Sequence, residues 1–288
     1  MYNIGVVILN YIAYQDTIHT VDSFLEQDKS DVHLEIVIVD NASPNDSFSH
    51  LSEYAKKHEN VHICKTEKNL GFAKGNNYGY SYLLEFISPD FVIMSNDDIL
   101  LPQSGLFEWI ANCYKDTNFA VLGPDIYSLR GEFHQSPCYN LTENRISCGW
   151  MIIRKNLALI KLYIQKFLHI RVKPYTATWG NNDYHTPSDK VTVHGSFQIF
   201  SKLYFKHYNE PYDPATFLYM EENLVKLRCD KADIKMYYSP DYRVDHLQAV
   251  ATNKISDSNT DKTISRKKNE IASLKVYFKR LCEKKSFK

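Results

Sequence analysis

The chain has 288 residues, of which 44% are hydrophobic and 24% charged, and its net charge is zero. This balance is ordinary for a soluble globular protein, and the length suffices for one large domain. No run of about 18 apolar residues occurs, which excludes a membrane-spanning helix, and the six cysteines form no CxxC pair, which argues against a zinc ribbon. The N-terminal MYNIGVVILNY lacks the features of a signal peptide, so we expect a cytoplasmic protein with reduced thiols.

The charge is unevenly distributed along the chain. From Lys262 to Lys288 there are ten Lys or Arg against two Glu, so this end carries +8 and the remainder −8. From Asn144 through Asn182 there are seven Lys or Arg and no acidic residue. Such asymmetry indicates the chemistry of partners rather than the fold.

The first 125 residues alternate between strand and helix patterns. Strands are predicted over 4–9, 34–39, 61–65, 91–94 and 120–122, and helices over 17–25, 72–86 and 105–114. Alternation at this spacing predicts an α/β fold with a mostly parallel sheet and helices on both faces.

The second half of the chain is less regular. Residues 191–200 alternate like a strand, 217–229 is a predicted helix, and 234–238 is a strand that should end at Pro240. From Ile264 the chain predicts a basic helix. We therefore expect one domain over 1–250, with halves of about 1–125 and about 126–250, and a basic helical tail over 251–288.

Polar residues follow each of the first four strands. Asn10 follows the first, Asp40 the second, the segment EKNLGFAKGNN the third, and Asn96-Asp97-Asp98 the fourth. Because parallel strands end at one edge of a sheet, and ligands bind there, these groups should line one site. Polar loops in general are the alternative explanation.

The segment FVIMSNDDILL places two adjacent carboxylates at the end of a buried strand. Like charges repel unless a cation is present, and Mg²⁺ or Mn²⁺ takes one or two carboxylates together with water and substrate phosphate. A divalent-cation site for a nucleotide diphosphate is one hypothesis, and a solvated acidic turn is the other.

Four segments in order resemble the inverting glycosyltransferases of family 2, in the rhamnosyltransferase-like and capsular polysaccharide branch: VVILNYIAYQDT, IVIVDNASPNDS, EKNLGFAKGNNYG and FVIMSNDDILL. The resemblance resumes at HGSFQIFSKLYF and DPATFLYMEENLVKLRC. It implies a glycosyltransferase A-type fold, with a nucleotide-sugar-binding half over about 1–125 and an acceptor-binding half over about 126–250.

The resemblance also implies the donor-side roles. The residues expected to bind the nucleotide sugar are Asn10, Asp40, Asn69, Gly71, Asn76, Asn77, Asn96 and Asp97. Asp98 would hold Mn²⁺ or Mg²⁺, with His246 completing that site. Asn96 replaces the first Asp of the strict D-x-D motif.

On the acceptor side, the resemblance implies that Glu222 is the general base and Glu221 its neighbour, although two glutamates leave open which one acts. Acidic residues in a first helical turn also stabilise the helix dipole, which is the alternative role. His194 and Gly195 would border the acceptor. Trp179 and Trp150 are candidates either to stack on sugar or to pack in the core.

Two predicted helices are basic and amphipathic. One places Leu157, Ile160, Ile164, Phe167 and Leu168 on one face, and the other places Ile264, Ile271, Leu274, Phe278 and Leu281 on one face. Such helices bind anionic membrane surfaces; a nucleic-acid patch, or packing on the core with a solvated basic face, are the alternatives. The acidic core argues against nucleic acid.

These expectations combine into one hypothesis. The chain is expected to be a metal-dependent inverting glycosyltransferase that uses a UDP- or dTDP-sugar. Its acceptor would be a lipid-linked or growing surface polysaccharide, of capsule or O-antigen type, on a polyprenyl diphosphate carrier at the inner face of the membrane. A non-catalytic sugar-nucleotide-binding relative or scaffold is the alternative, and a nucleotidyltransferase is disfavoured because Asn10-Tyr11-Ile12-Ala13 has neither glycine nor cation.

Overall fold

A computed structural model describes residues 1–138, 140–170, 183–248 and 259–283. The strands are β1 (Tyr2–Asn10), β2 (Val32–Asp40), β3 (Val61–Lys65), β4 (Phe91–Asn96), β5 (Ile99–Leu100), β6 (Val121–Ser128), β7 (Phe133–His134), β8 (Phe197–Ser201) and β9 (Met236–His246). The helices are α1 (Tyr14–Leu25), α2 (Ser47–Ala55), α3 (Gly71–Leu83), α4 (Leu106–Thr117), α5 (Arg145–Phe167), α6 (Lys202–Phe205), α7 (Glu221–Ala232) and α8 (Asn259–Cys282).

One sheet joins the strands in the order β3-β2-β1-β4-β8-β6-β9-β5, with β7 paired to β6. The longest ladders are parallel: β1 lies between β2 and β4, and β6 pairs with β9. Strand β8 is antiparallel to both of its neighbours. The predicted α/β class with a mostly parallel sheet is confirmed.

Helices cover both faces of this sheet. On one face, α1, α2 and α4 contribute Phe24, Leu51 and Ile110 to a fully buried cluster. On the other face, α3 and α7 contribute Leu83 and Val225 to a second cluster. Strands covered on both sides need continuous apolar runs, which is why LEIVIV in β2 lacks polar alternation.

A third cluster joins the C-terminal helix to the body of the protein. Leu274, Tyr277 and Leu281 of α8 pack against Cys148 of α5 and Leu224 of α7. The apolar face predicted for this helix is therefore covered by protein. This agrees with packing on the core, which was one of the alternatives to membrane binding.

The prediction that the strand at 234–238 ends at Pro240 is wrong. Strand β9 continues to His246, because a register shift opposite Gly123 and Asp125 of β6 leaves Pro240 in a bulge. Proline is tolerated there since it has no ladder hydrogen bond to donate. The predicted strand over 191–200 is also shorter, because ordered pairing begins only at Phe197.

All six cysteines lie in the described part of the chain, and all are free thiols there. Among the described residues, no helix combines the length and apolar character needed to cross a bilayer.

Candidate active site

The carboxyl ends of the parallel strands meet at one edge of the sheet. Asn10 pairs with Asp40 across β1 and β2, and Leu9 pairs with Asn96 across β1 and β4. Because β8 runs antiparallel to β4, its start lies at this same edge, and the backbone N–H of Asn96 donates to the Ser196 carbonyl at 2.8 Å. His246 ends β9 there as well.

Asn10 and Asp40 form a buried polar pair at the first two strand ends. The Asn10 amide donates to Asp40 Oδ1 at 2.8 Å and to Ser43 Oγ at 3.2 Å. The second Asp40 oxygen accepts from the Ser43 backbone N–H at 3.3 Å. Both side chains are fully buried, so they fix the turn at residues 41–43, which has a left-handed residue at Ala42 (φ 55°).

Asn41 ties the turn after β2 to the loop before α3, a role that sequence reasoning missed. Its amide donates to Asn69 Oδ1 at 3.2 Å, and its oxygen accepts from the Leu70 N–H at 2.9 Å. Asn69 in turn accepts from the Gly71 N–H at 2.9 Å. Asn41 lies in the segment IVIVDNASPNDS that carries the family resemblance, but only the structure shows which groups it contacts.

Gly71 has φ 79°, and a Cβ there would stand 2.4 Å from the Phe217 carbonyl oxygen. That carbonyl accepts from the Phe72 N–H at 2.7 Å. Glycine is required because the backbone at Phe217 touches the start of α3 at this point. The segment NLGFAKGNN therefore contacts the loop that precedes α7.

The two predicted donor-site asparagines of α3 face protein in this structure. The Asn77 amide donates to Glu210 Oε2 and to the Tyr212 carbonyl, each at 2.9 Å, and its oxygen accepts from the Tyr212 N–H. Asn76 donates to the Phe72 carbonyl at 3.0 Å, and its buried Oδ1 has no hydrogen-bond partner among the described residues. Asn77 thus anchors the loop before α7 rather than pointing to the strand edge.

The acidic tip of β4 separates its two carboxylates. Asp97 Oδ2 accepts from the Tyr11 N–H at 3.4 Å, and burial together with the Asp98 charge raises the pKa of Asp97 well above its ordinary value. Asp98 is buried and turns toward β9. Adjacent residues of one turn therefore face different parts of the site.

Asp98 and His246, to which the family resemblance assigns a shared cation site, lie side by side. Asp98 Oδ1 lies 3.2 Å from His246 Nε2, while His246 Nδ1 lies 2.7 Å from Gln135 Oε1. Gln135 therefore fixes the ring so that Nε2 faces the carboxylate. A carboxylate and an imidazole fit Mn²⁺ or Mg²⁺ when diphosphate and water supply the other ligands. The described residues hold no group of three or more such ligands.

His194 and Gly195 connect this pair to the predicted base. The His194 ring lies 5.9 Å from the His246 ring, centroid to centroid. Burial and the neighbouring His246 lower the pKa of His194 to about 3, so the ring is neutral, and its Nδ1 accepts from the Ser196 N–H at 3.1 Å. The adjacent Gly195 lies against Glu222, because a Cβ there would stand 3.2 Å from Glu222 Oε2.

The two glutamates at the start of α7 differ in environment. Glu221 is buried, its Oε1 has no hydrogen-bond partner among the described residues, and burial with the Glu222 charge raises its pKa to about 8. Glu222 is half-buried and borders Gly195, and burial raises its pKa too. At neutral pH Glu221 therefore favours its protonated form, whereas Glu222 is the glutamate that borders Gly195.

A strained turn immediately precedes Glu221 and Glu222. Tyr219 and Met220 have φ of 75° and 68°, a left-handed conformation that is costly for residues with a Cβ. Helix α8 holds the loop that contains this turn: Ser273 Oγ donates to the Leu218 carbonyl at 2.8 Å. Strain of this kind persists only where the surroundings fix it.

A buried ion pair makes the second contact between α8 and this loop. Arg280 donates to both oxygens of Asp213, at 2.7 and 3.3 Å, and Asp213 is 1% exposed. No motif in the sequence signals this pair.

Of the two candidate tryptophans, the structure describes only Trp150. Trp150 is 61% exposed on α5, so its alternative placement in the core is wrong. Trp179, predicted to contact the acceptor, lies outside the described residues.

The fold is that of glycosyltransferases of the A type. It is similar to a solved structure of GalNAc-T7 with UDP, GalNAc and Mn²⁺, with a TM-score of 0.60 and 15% identity over 93% of this chain and 47% of that one. It is also similar to Staphylococcus aureus TarS residues 1–349 in complex with UDP, with a TM-score of 0.54 and 14% identity over 97% and 73% of the two chains.

The family model for glycosyl transferase family 2 matches residues 5–175, and the chain belongs to this family. It is 28% identical over 97 residues to the low-salt glycan biosynthesis hexosyltransferase Agl10 of Haloferax volcanii, a stretch covering 34% of this chain and 30% of that protein. The chain thus matches about a third of the length of this curated relative.

Proposed function

We propose that this chain is a metal-dependent inverting glycosyltransferase that transfers one sugar from a UDP- or dTDP-sugar to a hydroxyl group of a surface polysaccharide. One observation carries the proposal: His194 lies 5.9 Å from His246, while the next residue, Gly195, lies against Glu222. The adjacent residues His194 and Gly195 thus lie between the candidate cation ligands and the candidate base. In-line displacement requires the base and the leaving diphosphate to be held close together in this way.

On the donor side, Asp98 and His246 would hold Mn²⁺ or Mg²⁺. Bound there, the cation would neutralise the charge that develops on the leaving diphosphate. Asn10 and Asp40 would shape the nucleotide pocket through the Ser43 turn, because their own side chains are fully buried. Asn96 and Asp97 would border the donor sugar.

On the acceptor side, Glu222 would accept the proton of the attacking hydroxyl. The oxygen of that hydroxyl forms the new bond to the anomeric carbon, and the bond from that carbon to the diphosphate breaks with its electron pair leaving on the diphosphate. One displacement inverts the configuration. Glu221, protonated at neutral pH, would position the loop or the acceptor, and neutral His194 would border the sugar.

The acceptor would be a lipid-linked or growing polysaccharide of capsule or O-antigen type, carried on a polyprenyl diphosphate, and the rhamnosyltransferase-like branch of the family stays our proposal for this chain. The enzyme would then work as a peripheral protein at the inner face of the membrane. The basic surfaces of α5 and α8 support this location, since anionic membranes attract such segments.

A thermal-shift screen of UDP, dTDP and GDP, each with and without Mn²⁺, tests the donor site. We expect a shift with UDP or dTDP that requires Mn²⁺ and is lost in Asp98→Asn, because a ligand at 100 times its Kd stabilises by about 2.7 kcal/mol. No shift with any nucleotide would overturn the proposed site.

Slow hydrolysis of UDP- and dTDP-sugars tests catalysis. The non-catalytic alternative draws support from the small number of candidate cation ligands among the described residues. It predicts nucleotide binding with equal, background hydrolysis in the wild-type protein and in Glu222→Gln. The enzymatic proposal predicts turnover that Glu222→Gln reduces while the thermal shift is retained.

A further inference from the structure

Helix α5 is apolar on two opposite sides but packs on the protein with only one. Its inner side contributes Cys148, Met151 and Ile152 to the cluster shared with α7 and α8. Its outer side exposes a continuous stripe at helical spacing, made of Ile146, Trp150, Ile153, Leu157, Ile160, Ile164, Phe167 and Leu168. Helices that are apolar all round are normally buried all round.

The exposure of this stripe is large. Trp150 and Leu157 are each 61% exposed and Phe167 is 83% exposed, and nothing in the described part of the chain covers them. Single exposed apolar residues are ordinary on a protein surface, but eight on one helix face form a contiguous patch of the kind that marks an interaction site.

The charges around the stripe favour an anionic partner. Helix α5 contains five Lys or Arg and no acidic residue. Two of them pair with acidic residues of α8, Lys155 with Glu270 at 2.8 Å and Lys166 with Asp261 at 2.5 Å. Arg154 and Lys161 are exposed and lie along one edge of the stripe, at the spacing that an interfacial helix uses.

The same charges argue against a second copy of this chain as the occupant. Two α5 helices packed face to face would bring Arg and Lys of one copy beside those of the other without any carboxylate on the helix to compensate. Exposed Trp150 and Tyr163 are the aromatic types enriched where protein meets the lipid headgroup region.

We propose that the outer face of α5 is the membrane-docking surface, which lies in the headgroup layer of an anionic bilayer. This inference rests on the proposed function for its purpose, and it assigns the membrane contact to α5 rather than to α8. The apolar side of α8 is unavailable, because Ile264, Ile271, Leu274 and Leu281 are buried against the protein. Basic residues of α8 can add electrostatic attraction to an anionic bilayer, but α8 has no free apolar face to insert into it.

Docking through α5 would also orient the site. The inner side of α5 shares a cluster with Leu224 and Leu227 of α7, and α7 begins with Glu221 and Glu222. The membrane surface and the two carboxylates therefore lie on the same half of the protein, where a lipid-carried acceptor would arrive.

Vesicle flotation tests the proposal without donor, acceptor or metal, so its outcome is independent of catalysis. We expect the wild-type protein to float with vesicles of phosphatidylglycerol and phosphatidylcholine. The triple variant Leu157→Gln, Ile160→Gln, Ile164→Gln should bind at least about a hundredfold more weakly. Leu84→Ser, which removes an exposed apolar side chain from the end of α3, is the matched control and should bind like the wild type.

Two further measurements separate the components. Arg154→Gln with Lys161→Gln should weaken binding to the anionic vesicles roughly 30-fold and leave any binding to pure phosphatidylcholine unchanged. In a protein with Trp109→Phe and Trp179→Phe, the fluorescence of Trp150 should shift to shorter wavelength on binding. Equal flotation of the wild type and the triple variant, or no flotation at all, would overturn the proposal. So would a wild-type dimer in analytical ultracentrifugation that the triple variant dissociates, since the occupant would then be a second copy.

Discussion

Gly195 lies directly against Glu222, so that a Cβ at Gly195 would stand 3.2 Å from Glu222 Oε2. The distance is short enough that an alanine must displace the carboxylate by a few tenths of an ångström. The position of Glu222, the proposed base, therefore depends on residue 195 having no side chain.

Gly195→Ala should therefore lower kcat by about tenfold to a hundredfold, since small misplacements of a catalytic group cost this much, with little change in melting temperature. Gly149→Ala is the matched control, because no atom lies within 4 Å of a Cβ there, and it should raise helix stability by up to about 1 kcal/mol. Steady-state kinetics of donor hydrolysis measure the first effect. An unchanged kcat in Gly195→Ala would argue against Glu222 as the base.

Glu221 should make the protein less stable as pH rises. Its pKa is raised to about 8 in the folded protein, so the folded state binds this proton more tightly than the unfolded state. Its contribution to stability is complete below the unfolded pKa of about 4.3 and is lost as pH rises toward 8, at about 1.4 kcal/mol for each pH unit.

Glu221→Gln keeps the neutral shape and removes this titration. We expect the variant and the wild type to unfold at similar urea concentrations at pH 5, and the variant to be the more stable at pH 8. Glu59→Gln serves as a control, because Glu59 is exposed on the surface. Parallel stability profiles for wild type and Glu221→Gln would show that Glu221 ionises normally.

His246 should set the affinity for the cation, and Gln135 should set the orientation of His246. His246→Ala should raise the Mn²⁺ concentration needed for half-maximal UDP-dependent thermal shift. Gln135→Leu should raise it by about tenfold to a hundredfold, as loss of an outer hydrogen bond to a metal ligand does. His207→Gln, an exposed histidine, should have no effect. Identical Mn²⁺ titrations for all four proteins would exclude His246 from the site.

Arg280 should contribute to stability through the buried Asp213. Arg280→Met leaves a carboxylate that is 1% exposed without its main cation, and such a loss costs about 3–5 kcal/mol. Adding Asp213→Asn to this variant should recover part of the loss. Urea unfolding measures both, and Lys279→Met, at an exposed position of the same turn, should change stability by less than about 0.5 kcal/mol. A loss no larger than that of Lys279→Met would show that the pair is dispensable.

The strand-edge arrangement of the site could be predicted because it depends on local pattern. Apolar runs that end in Asn10, Asp40 and Asn96 place those residues at one edge of any parallel sheet, whatever the side chains later do. The meeting of Asp98 and His246 followed from the family resemblance rather than from spacing. The direction of Asn77, toward residues 210–212, depends on packing that no local pattern encodes.

The supports of the proposed base could not be predicted. Asp213 and Arg280 are 67 positions apart, and an ion pair over that separation leaves no periodic signal. Tyr219 and Met220 adopt a left-handed conformation that their residue types disfavour, so sequence reasoning assigns them to a helix instead. The amphipathic pattern also looked alike in α5 and α8, and only packing distinguishes the buried face from the exposed one.

The docking of α8 has a consequence for the order in which the protein is made. The ribosome completes every strand of the sheet by His246, before the residues of α8 have been added. Domains begin to fold during synthesis from the N-terminal side, so the sheet can form while Asp213 still lacks Arg280 and Leu218 lacks Ser273. The loop that carries the left-handed turn at Tyr219 and Met220 therefore gains both of these supports only after translation has passed residue 280.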